Sequence, residues 1–343
     1  MRFLMIGSGP RVPSTRFRLL PYVAPLERAG HRCSVAFSYP AKYEYYRAIG
    51  WRMSQRLQRG VRHWQAWRAR QVAYDAIFLE REFFDDDSHE MELRFRRATR
   101  RFVLDVDDGI FLKYPNKFAK VAAMADHVIC GNRFLAEYTQ PIQPNITIIP
   151  TCIEAWRYPP RSPHAQNELP VIGWIGTGPN VRLLQECAGA LRVLAKERKF
   201  QLHVIAAADA PLVEVDLAGV NVNFIPWSQQ TEIQNLHRFD IGIMPLPAND
   251  PWMKYKCAAK LLQYLALGIP AVASPIGVNA DILSGNQVGF AATCPDDWIS
   301  HLRTLLDDVQ LRQRMGDRGR DMVQQQYTIE ANWMRLENVL RGE

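Results

Sequence analysis

The sequence of 343 residues contains no run of about 18 apolar residues, so no helix is expected to span a membrane. Its six cysteines are scattered and include no CxxC pair, which argues against a zinc site and favours free thiols in a reducing cytoplasm. The beginning, MRFLMIGSGP, lacks the long apolar core of a signal peptide. Low-complexity segments and internal repeats are also missing. We therefore expect a cytoplasmic globular protein, and the length favours two domains.

The net charge of +7 is concentrated in the first half of the chain, whereas the second half is slightly acidic. Much of the excess lies in residues 43–70, the basic aromatic segment, which interleaves arginines with aromatic residues (Arg47, Arg52, Arg56, Arg59, Arg62, Arg68 and Arg70 with Tyr45, Trp51, Trp64 and Trp67). Such a composition at near-helical spacing suits the headgroup layer of an anionic membrane. An ordinary amphipathic helix with its tryptophans in the core is the main alternative, and nucleic acid is the least favoured partner. We therefore predict a peripheral contact with an anionic membrane and no nucleic acid partner.

Short apolar strands alternate with helical segments in residues 1–155, and the same rhythm restarts after a proline-rich polar linker at 156–170. Buried apolar strands separated by helices are typical of a parallel, doubly wound sheet. The predicted fold class is therefore α/β, with two Rossmann-like domains, residues 1–155 and 171–328, that face a central cleft. Residues 329–343 are predicted to form a final helix.

The stretch Asp240–Pro275 contains the most specific local signal. The apolar strand IGIM leads into a polar loop, a helix closed by Gly268, and a second buried strand. Lys256 and Lys260 lie at the mouth and in the first turn of that helix, at the sheet edge where open α/β folds bind ligands. Free backbone N–H groups and the helix dipole favour an anion there, so the two lysines indicate a phosphate ligand. Solvated surface lysines are the alternative.

Two further turns follow other predicted strands. In IGTGPN, Gly176 and Gly178 permit close backbone approach and Asn180 can cap the next helix, while SPIGVN supplies Gly277 and Asn279. Each turn alone is equally typical of an ordinary tight turn. Together with the two lysines, after successive strands, they strengthen the prediction of a phosphate site.

Four motifs together resemble a known family: PSTRFR after the first strand, DVDDGIF after a middle strand, GWIGTGPN at the start of the second half, and DIGIMPLP…KLLQYLALGIPAVAS near the end. The chain resembles GT-B fold glycosyltransferases, close to glycosyltransferase family 4, over nearly its whole length. The resemblance implies transfer of a sugar from a nucleotide-diphosphate-sugar donor, held mainly by the second domain, to a glycan, lipid-linked or small-molecule acceptor. It also implies retention of the anomeric configuration, no metal ion, no cofactor, and a final helix that packs back on the first domain.

The donor site implied by this resemblance departs from the family pattern at one place. The family has two glutamates eight residues apart around the lysine-bearing helix, and here those positions are Tyr255 and Gln263. Gln263 can still bind ribose hydroxyls as donor or acceptor, and recognition of the sugar would fall to Asp250 or Asn249. Trp227 lies in a loop expected to contact the base. The predicted donor-binding residues are Gly176, Thr177, Gly178, Asn180, Trp227, Asp250, Lys256, Lys260, Gln263, Gly277 and Asn279.

An acidic cluster ends a strand of the first domain. The family often has a histidine or an acid touching the donor sugar at the position of Asp107, so we predict Asp107, Asp108 and Lys256 as catalytic residues. A carboxylate there could hold a sugar hydroxyl, orient the acceptor or stabilise positive charge on the sugar. A helix-capping cluster and a metal-binding aspartate pair are the alternatives, and we predict no metal.

The PSTRFR loop lies where the family has its acceptor-side loop. Arg16 and Arg18, together with Asp105, are predicted to bind an acceptor, for example the phosphate of a lipid-linked sugar. Structural salt bridges to nearby acids are the alternative. The roles of Glu80 and Glu82, which follow the strand AIFLE, stay open.

Two other functions fit parts of the sequence. A degenerate relative that binds sugar nucleotide or membrane as a partner subunit fits the loss of both family glutamates. A sugar-nucleotide epimerase shares the two-domain plan, although no histidine or carboxylate stands out as its base. A dinucleotide oxidoreductase is weaker, because the turn Gly7-Ser8-Gly9 has Val12 where a third glycine is needed.

Overall fold

The computed structural model describes residues 1–160 and 167–343 and divides into two compact units. The first unit comprises Met1–Cys152, Tyr255–Cys257 and Ile329–Glu343, and the second comprises Ile153–Lys254 and Ala258–Thr328. The predicted linker at 156–170 includes residues 161–166, which lie outside the described residues. Each unit is built on its own parallel sheet.

The first unit contains a six-stranded parallel sheet in the order β2-β1-β3-β4-β5-β6. Alternate residues of the first strand enter different cores: Phe3 and Met5 pack into one cluster, whereas Leu4 and Ile6 pack into another. A strand buried on both faces needs apolar residues at every position, which explains the continuous run FLMI. The strands are β1 (Arg2–Gly7), β2 (Arg32–Phe37), β3 (Tyr74–Glu80), β4 (Thr99–Val106), β5 (His127–Cys130) and β6 (Ile146–Ile148).

Five helices connect these strands, and the second of them does not have the orientation that its composition suggests. They are α1 (Leu20–Arg28), α2 (Gly50–Val72), α3 (Glu90–Arg96), α4 (Pro115–Met124) and α5 (Arg133–Thr139). In α2, Trp51, Trp64 and Trp67 are 54%, 54% and 60% exposed. The alternative that placed the tryptophans of the basic aromatic segment in the core is therefore wrong.

The second unit contains a second six-stranded parallel sheet, in the order β12-β11-β10-β7-β8-β9. Its strands are β7 (Val171–Ile175), β8 (Gln201–Ala206), β9 (Val222–Pro226), β10 (Ile241–Met244), β11 (Ala271–Ala273) and β12 (Gly289–Ala291). Its helices are α6 (Gln185–Glu197), α7 (Glu232–Leu236), α8 (Ala259–Ala266), α9 (Val278–Leu283), α10 (Pro295–Asp307) and α11 (Val309–Gln326). Two parallel sheets with flanking helices confirm the predicted α/β fold class.

The last helix, α12 (Ile329–Arg341), belongs to the first unit although it ends the chain. Its buried side chains, among them Leu336 and Leu340, share an apolar cluster with Phe3 and Leu19. At its end, Arg101 Nε of β4 donates a hydrogen bond to a backbone carbonyl of α12 at 2.5 Å. The helix thus covers one face of the first sheet.

Candidate active site

The carboxyl ends of β3 and β4 bring a charged cluster together in the first unit. Asp107 and Asp108 follow β4, and Arg81 follows the neighbouring strand β3. Arg81 Nε forms an ion pair with Asp107 Oδ1, and Arg81 Nη2 lies 3.5 Å from Asp108 Oδ2. Arg81 has a φ of 57°, which turns the chain sharply at the strand end. The sequence analysis missed Arg81, and its place between two glutamates directly after a buried strand was the available signal.

The two adjacent aspartates differ in their electrostatics. Burial by itself raises the pKa of both carboxyls. At Asp107 the ion pair with Arg81 outweighs burial and lowers the pKa below its usual value. At Asp108 burial outweighs the attraction of Lys256 and Arg81, so its pKa is raised. Neighbouring carboxyls with opposite pKa shifts can divide acid and base roles between them.

Arg18 and Asp105 form a buried pair in the first unit. Arg18 Nε and Nη2 donate to the two Asp105 oxygens at 3.0 and 2.5 Å, and Nη1 donates to the Ile149 carbonyl at 2.7 Å. The arginine is 3% exposed and the aspartate 1%, and Arg16 is also buried. This geometry is that of the structural alternative, a salt bridge. Binding of an acceptor by Arg18 or Asp105 stays a prediction that their burial does not support.

Glu80 connects the PSTRFR loop to the end of β3. Its carboxylate accepts hydrogen bonds from the hydroxyls of Ser14 and Thr15 and, at 3.3 Å, from the backbone N–H of Ser8. Burial raises the pKa of Glu80 to about 7 although both hydroxyls counteract the shift. Glu82 has a different partner, the buried ammonium of Lys42 at 2.5 Å. The sequence left the roles of both glutamates open, and the structure shows them holding loops at the sheet edge.

In the second unit, Lys260 lies in the first turn of α8, beside the turn after β7. Its Nζ is 5.6 Å from the centroid of the Trp174 ring. A Cβ placed on Gly176 would lie 2.9 Å from Lys260 Cε and 2.3 Å from the Trp174 ring, so only glycine fits between them. Lys256 precedes α8 and belongs to the first unit, where it approaches Asp108.

The remaining turn residues are held mostly by local hydrogen bonds. Asn180 was expected to cap a helix, but it lies within a 3-10 turn, Gly178–Leu184, that precedes α6. The side-chain amide of Asn180 donates to Thr177 Oγ1 at 2.8 Å. Asn279 is buried and donates to a backbone carbonyl at 3.1 Å. Asp250 accepts a backbone N–H at 2.9 Å. Gly277 has a φ of 57°, and a Cβ there would lie 2.3 Å from a carbonyl oxygen.

Two predicted donor-binding residues, Trp227 and Gln263, converge on Glu232, a residue that the sequence analysis did not single out. Trp227 Nε1 donates to Glu232 Oε2 at 2.6 Å, and Gln263 Nε2 lies 3.2 Å from Glu232 Oε1. Gln263 Nε2 also donates to the Tyr158 hydroxyl at 3.0 Å. Because a carboxylate only accepts hydrogen bonds, the amide nitrogen of Gln263 must face Glu232, which leaves its oxygen as an acceptor. No local pattern could reveal this cluster, since its members are separated by up to 105 residues.

Among residues 1–160 and 167–343, no group of three or more histidine, cysteine, aspartate or glutamate side chains is arranged to hold a metal ion. Within the same ranges, no helix has both the length and the apolar character needed to cross a membrane.

Among known protein families, a match is found for residues that lie almost wholly in the second unit. Residues 169–308 match the family model described as glycosyl transferases group 1. This segment belongs to the group 1 glycosyltransferases. The protein is therefore a glycosyltransferase, and glycosyltransferase family 4 is compatible with this match.

Solved structures of glycosyltransferases share its GT-B fold over the whole chain. Sucrose-phosphate synthase from Thermosynechococcus elongatus is 13% identical with a TM-score of 0.76, covering 99% of this chain and 98% of its own. A glycosyltransferase from Rickettsia africae is 12% identical with a TM-score of 0.70 over 99% and 98%. HepE from Anabaena, solved with UDP and glucose, is 12% identical with a TM-score of 0.71 over 100% of both chains. No curated protein sequence matches this glycosyltransferase significantly.

Proposed function

We propose that this glycosyltransferase moves a hexosyl group from a nucleotide-diphosphate-sugar donor to a glycan, lipid-linked or small-molecule acceptor. The observation that carries the proposal is the position of Lys260 in the first turn of α8, against the Gly176 turn. A diphosphate that leaves the sugar gains negative charge, and an ammonium group beside free helix N–H groups stabilises that charge. HepE, which has the same fold, was solved with UDP-glucose, and this supports a donor of the same class.

The nucleoside part of the donor is assigned to the Gln263 cluster. With its nitrogen turned towards Glu232, the Gln263 amide presents its oxygen to a ribose hydroxyl. Trp227 is held by the same carboxylate and offers a flat surface for a base. The donor contact thus uses an acceptor oxygen where the family has a carboxylate.

The charged cluster of the first unit is assigned to the sugar and the acceptor. Asp107, kept ionised by Arg81, is suited to accept a hydrogen bond from a hydroxyl or to stabilise positive charge on the sugar. Asp108 takes up a proton more readily because its pKa is raised. We assign both to the transfer step, with retention of configuration and without a metal ion or other cofactor. Arg16 is assigned to the acceptor side.

Donor binding is tested with a thermal-shift panel of nucleoside diphosphates and their sugars, because selective binding raises the melting temperature with the logarithm of ligand concentration. Lys260→Met should weaken binding of the selected diphosphate by about tenfold or more, as expected for loss of a charge-assisted contact. Lys196→Met, which removes an exposed lysine of α6 in the same unit, is the matched control and should leave binding unchanged. If no nucleotide stabilises the protein, or if both variants bind as the parent does, the donor assignment is wrong.

One observation favours a second function, that of a partner subunit that binds a sugar nucleotide without turning it over. Tyr255 and Gln263 occupy the positions of the two family glutamates. Nucleotide binding by calorimetry without donor hydrolysis or transfer, across all donors that bind, would support this second function.

The place of action that we propose is the cytoplasmic side of an anionic membrane. A lipid-linked acceptor is confined to that surface, so a glycosyltransferase that stays there meets its acceptor more often. The excess of positive charge in the first half of the chain is compatible with this location.

A further inference from the structure

Helix α2 is amphipathic in the reverse sense, because its inward face is polar or small. The buried residues are Ser54, Gln58, Arg62, Ala66 and Ala69. Gln58 Nε2 donates to a backbone carbonyl at 2.9 Å, and Arg62 Nη2 donates to the carbonyl of Gly7 at 2.7 Å. The helix is thus fixed to the first unit by hydrogen bonds to backbone oxygens.

The outward face of α2 carries the large apolar side chains. Met53, Leu57, Trp64 and Trp67 are 49%, 39%, 54% and 60% exposed. Together with Gly60 they are spaced alternately by four and three residues, which places them in one stripe along the helix. A contiguous apolar stripe on an exposed helix marks an interaction surface.

Arginines flank this stripe, and no acidic residue lies between Glu44 and Asp75. At 100° per residue, Arg52, Arg56 and Arg70 fall along one border of the stripe. All three are exposed, and none pairs with an acid within the described part of the chain. Arg59, in contrast, is bound to Asp86 at 2.6 Å.

Further exposed apolar side chains lie just before α2 and in its first turn. Tyr43, Tyr45, Ile49 and Trp51 are 45–54% exposed, and the rings of Tyr45 and Trp51 meet edge to face with centroids 6.1 Å apart. Tyrosine and tryptophan favour the boundary between hydrocarbon and water, because each has an apolar ring and a polar group.

We propose that the outward face of α2, with Tyr43 and Tyr45 before it, binds the headgroup layer of an anionic lipid bilayer, the helix lying in the membrane plane. The apolar stripe enters the boundary of the acyl chains, and the arginines on its border bind lipid phosphates. This inference deepens the proposed place of action and rests on it only for its biological purpose.

The charges and the stripe favour lipid over the other occupants. A second copy of α2 would bring arginines against arginines without any acid to offset them. Nucleic acid would use the arginines, but the aliphatic side chains of Met53 and Leu57 would gain nothing from its phosphates. An anionic bilayer satisfies both parts of the surface.

The proposal is tested by sedimentation of the full chain with vesicles of phosphatidylcholine alone or containing about a third phosphatidylglycerol. We expect binding to the anionic vesicles only, with release at high salt and a blue shift of tryptophan fluorescence on binding. One basic residue near such a surface contributes about a fivefold change in partitioning, so neutralising three arginines should weaken binding by roughly 100-fold. The test variant changes Arg52, Arg56 and Arg70 to glutamine.

A matched control neutralises three exposed arginines outside α2 in the same unit, Arg2 of β1, Arg28 of α1 and Arg32 of β2, and should lose much less binding. Replacing Trp64 and Trp67 by serine should also remove binding without changing the net charge. Equal vesicle binding by the parent and both α2 variants would overturn the proposal. So would α2-dependent binding of oligonucleotides in place of vesicles, or a concentration-dependent dimer that the same substitutions abolish.

The membrane and donor proposals fail separately in these experiments. The α2 variants should keep the circular dichroism spectrum of the parent and its stabilisation by nucleoside diphosphates without vesicles. If the α2 variants lose vesicle binding but keep nucleotide binding, the substitutions have affected only the membrane-binding surface. If the parent protein binds vesicles through α2 but no nucleotide stabilises it, the membrane proposal stands and only the donor assignment is contradicted.

Discussion

Replacing Gln263 by glutamate restores the residue type that the family has at this position, yet we expect the variant to be less stable. The change places a second carboxylate about where Gln263 Nε2 now lies, 3.2 Å from Glu232 Oε1. Both residues are buried, Gln263 at 5% exposure and Glu232 at 2%. The substitution therefore replaces a hydrogen bond by a repulsion between two like charges.

The size of the effect is set by the less costly of two responses, which are repulsion between two ionised carboxylates and protonation of one of them. Two carboxylates at that distance repel by about 5 kcal/mol at an effective dielectric constant of about 20. Taking up a proton instead costs about 1.36 kcal/mol per pH unit above an ordinary glutamate pKa of about 4.3, or about 3.7 kcal/mol at pH 7. Protonation is cheaper, so we expect Gln263→Glu to lose about 3–4 kcal/mol of unfolding free energy at pH 7.

The sign of the pH dependence follows from the same argument. The introduced carboxyl has a raised pKa in the folded state, so its penalty is absent below the ordinary pKa and grows as the pH rises. At pH 5.5 the penalty should be about 1.6 kcal/mol. Guanidinium denaturation at pH 5.5 and 7 measures this difference.

The control is the charge swap, in which Gln263→Glu is combined with Glu232→Gln. This double variant again has one carboxylate and one amide in contact, so it should recover most of the lost stability. A Gln263→Glu protein as stable as the parent at pH 7, or a double variant no better than the single one, would refute the contact between these two side chains.

Three further substitutions test other parts of the structure. Gly277→Ala should lower the free energy of unfolding by about 2 kcal/mol or more, because the residue has a positive φ and the new Cβ would lie 2.3 Å from a carbonyl oxygen. Gly285→Ala is the control, since Gly285 also has a positive φ but faces open space, and it should cost about 1 kcal/mol. Thermal melts of both variants measure the difference. Arg18→Met should lower the free energy of unfolding by about 3–5 kcal/mol, because it leaves the Asp105 carboxylate buried without its partner. Adding Asp105→Leu should recover most of that loss. Equal stability of the single and double variants in denaturant would contradict the buried pair. Burial raises the pKa of Glu80 to about 7, so the parent loses stability as the pH rises from about 4.5 through 7, and Glu80→Gln should not show this loss; parallel pH profiles would contradict it.

The family could be inferred from the sequence because its evidence is local. Strand-to-turn transitions such as VIGWIGTG and IGIMPLP contain their own apolar runs and glycines, and a parallel sheet gathers the residues after each strand at one edge. Lys260 and Gly176 were placed near a common site by this reasoning, and the structure has them in contact distance. The roles of their side chains stay predictions.

The partners of buried charges could not be inferred, because they depend on strand order. Arg18 finds Asp105 only when β4 lies two strands from β1, a relation across 87 residues of sequence. Arg81 meets Asp107 because β3 and β4 are neighbours in register. The sequence contains these residues but not the order that pairs them.

By itself, the sequence determined the alternation of strands and helices, the two parallel sheets and the residues at their carboxyl edges, because these follow from periodicity within short segments. Only the tertiary structure decided which face of α2 turns inward. Arg62 and Gln58 of α2 donate to backbone oxygens at the end of β1 and in the loop after β2, and Ala66 and Ala69 of the same face pack into the core, so the tryptophans are left outside. Contacts with residues distant in sequence thus set the orientation of the helix against the usual preference of large apolar side chains for the core.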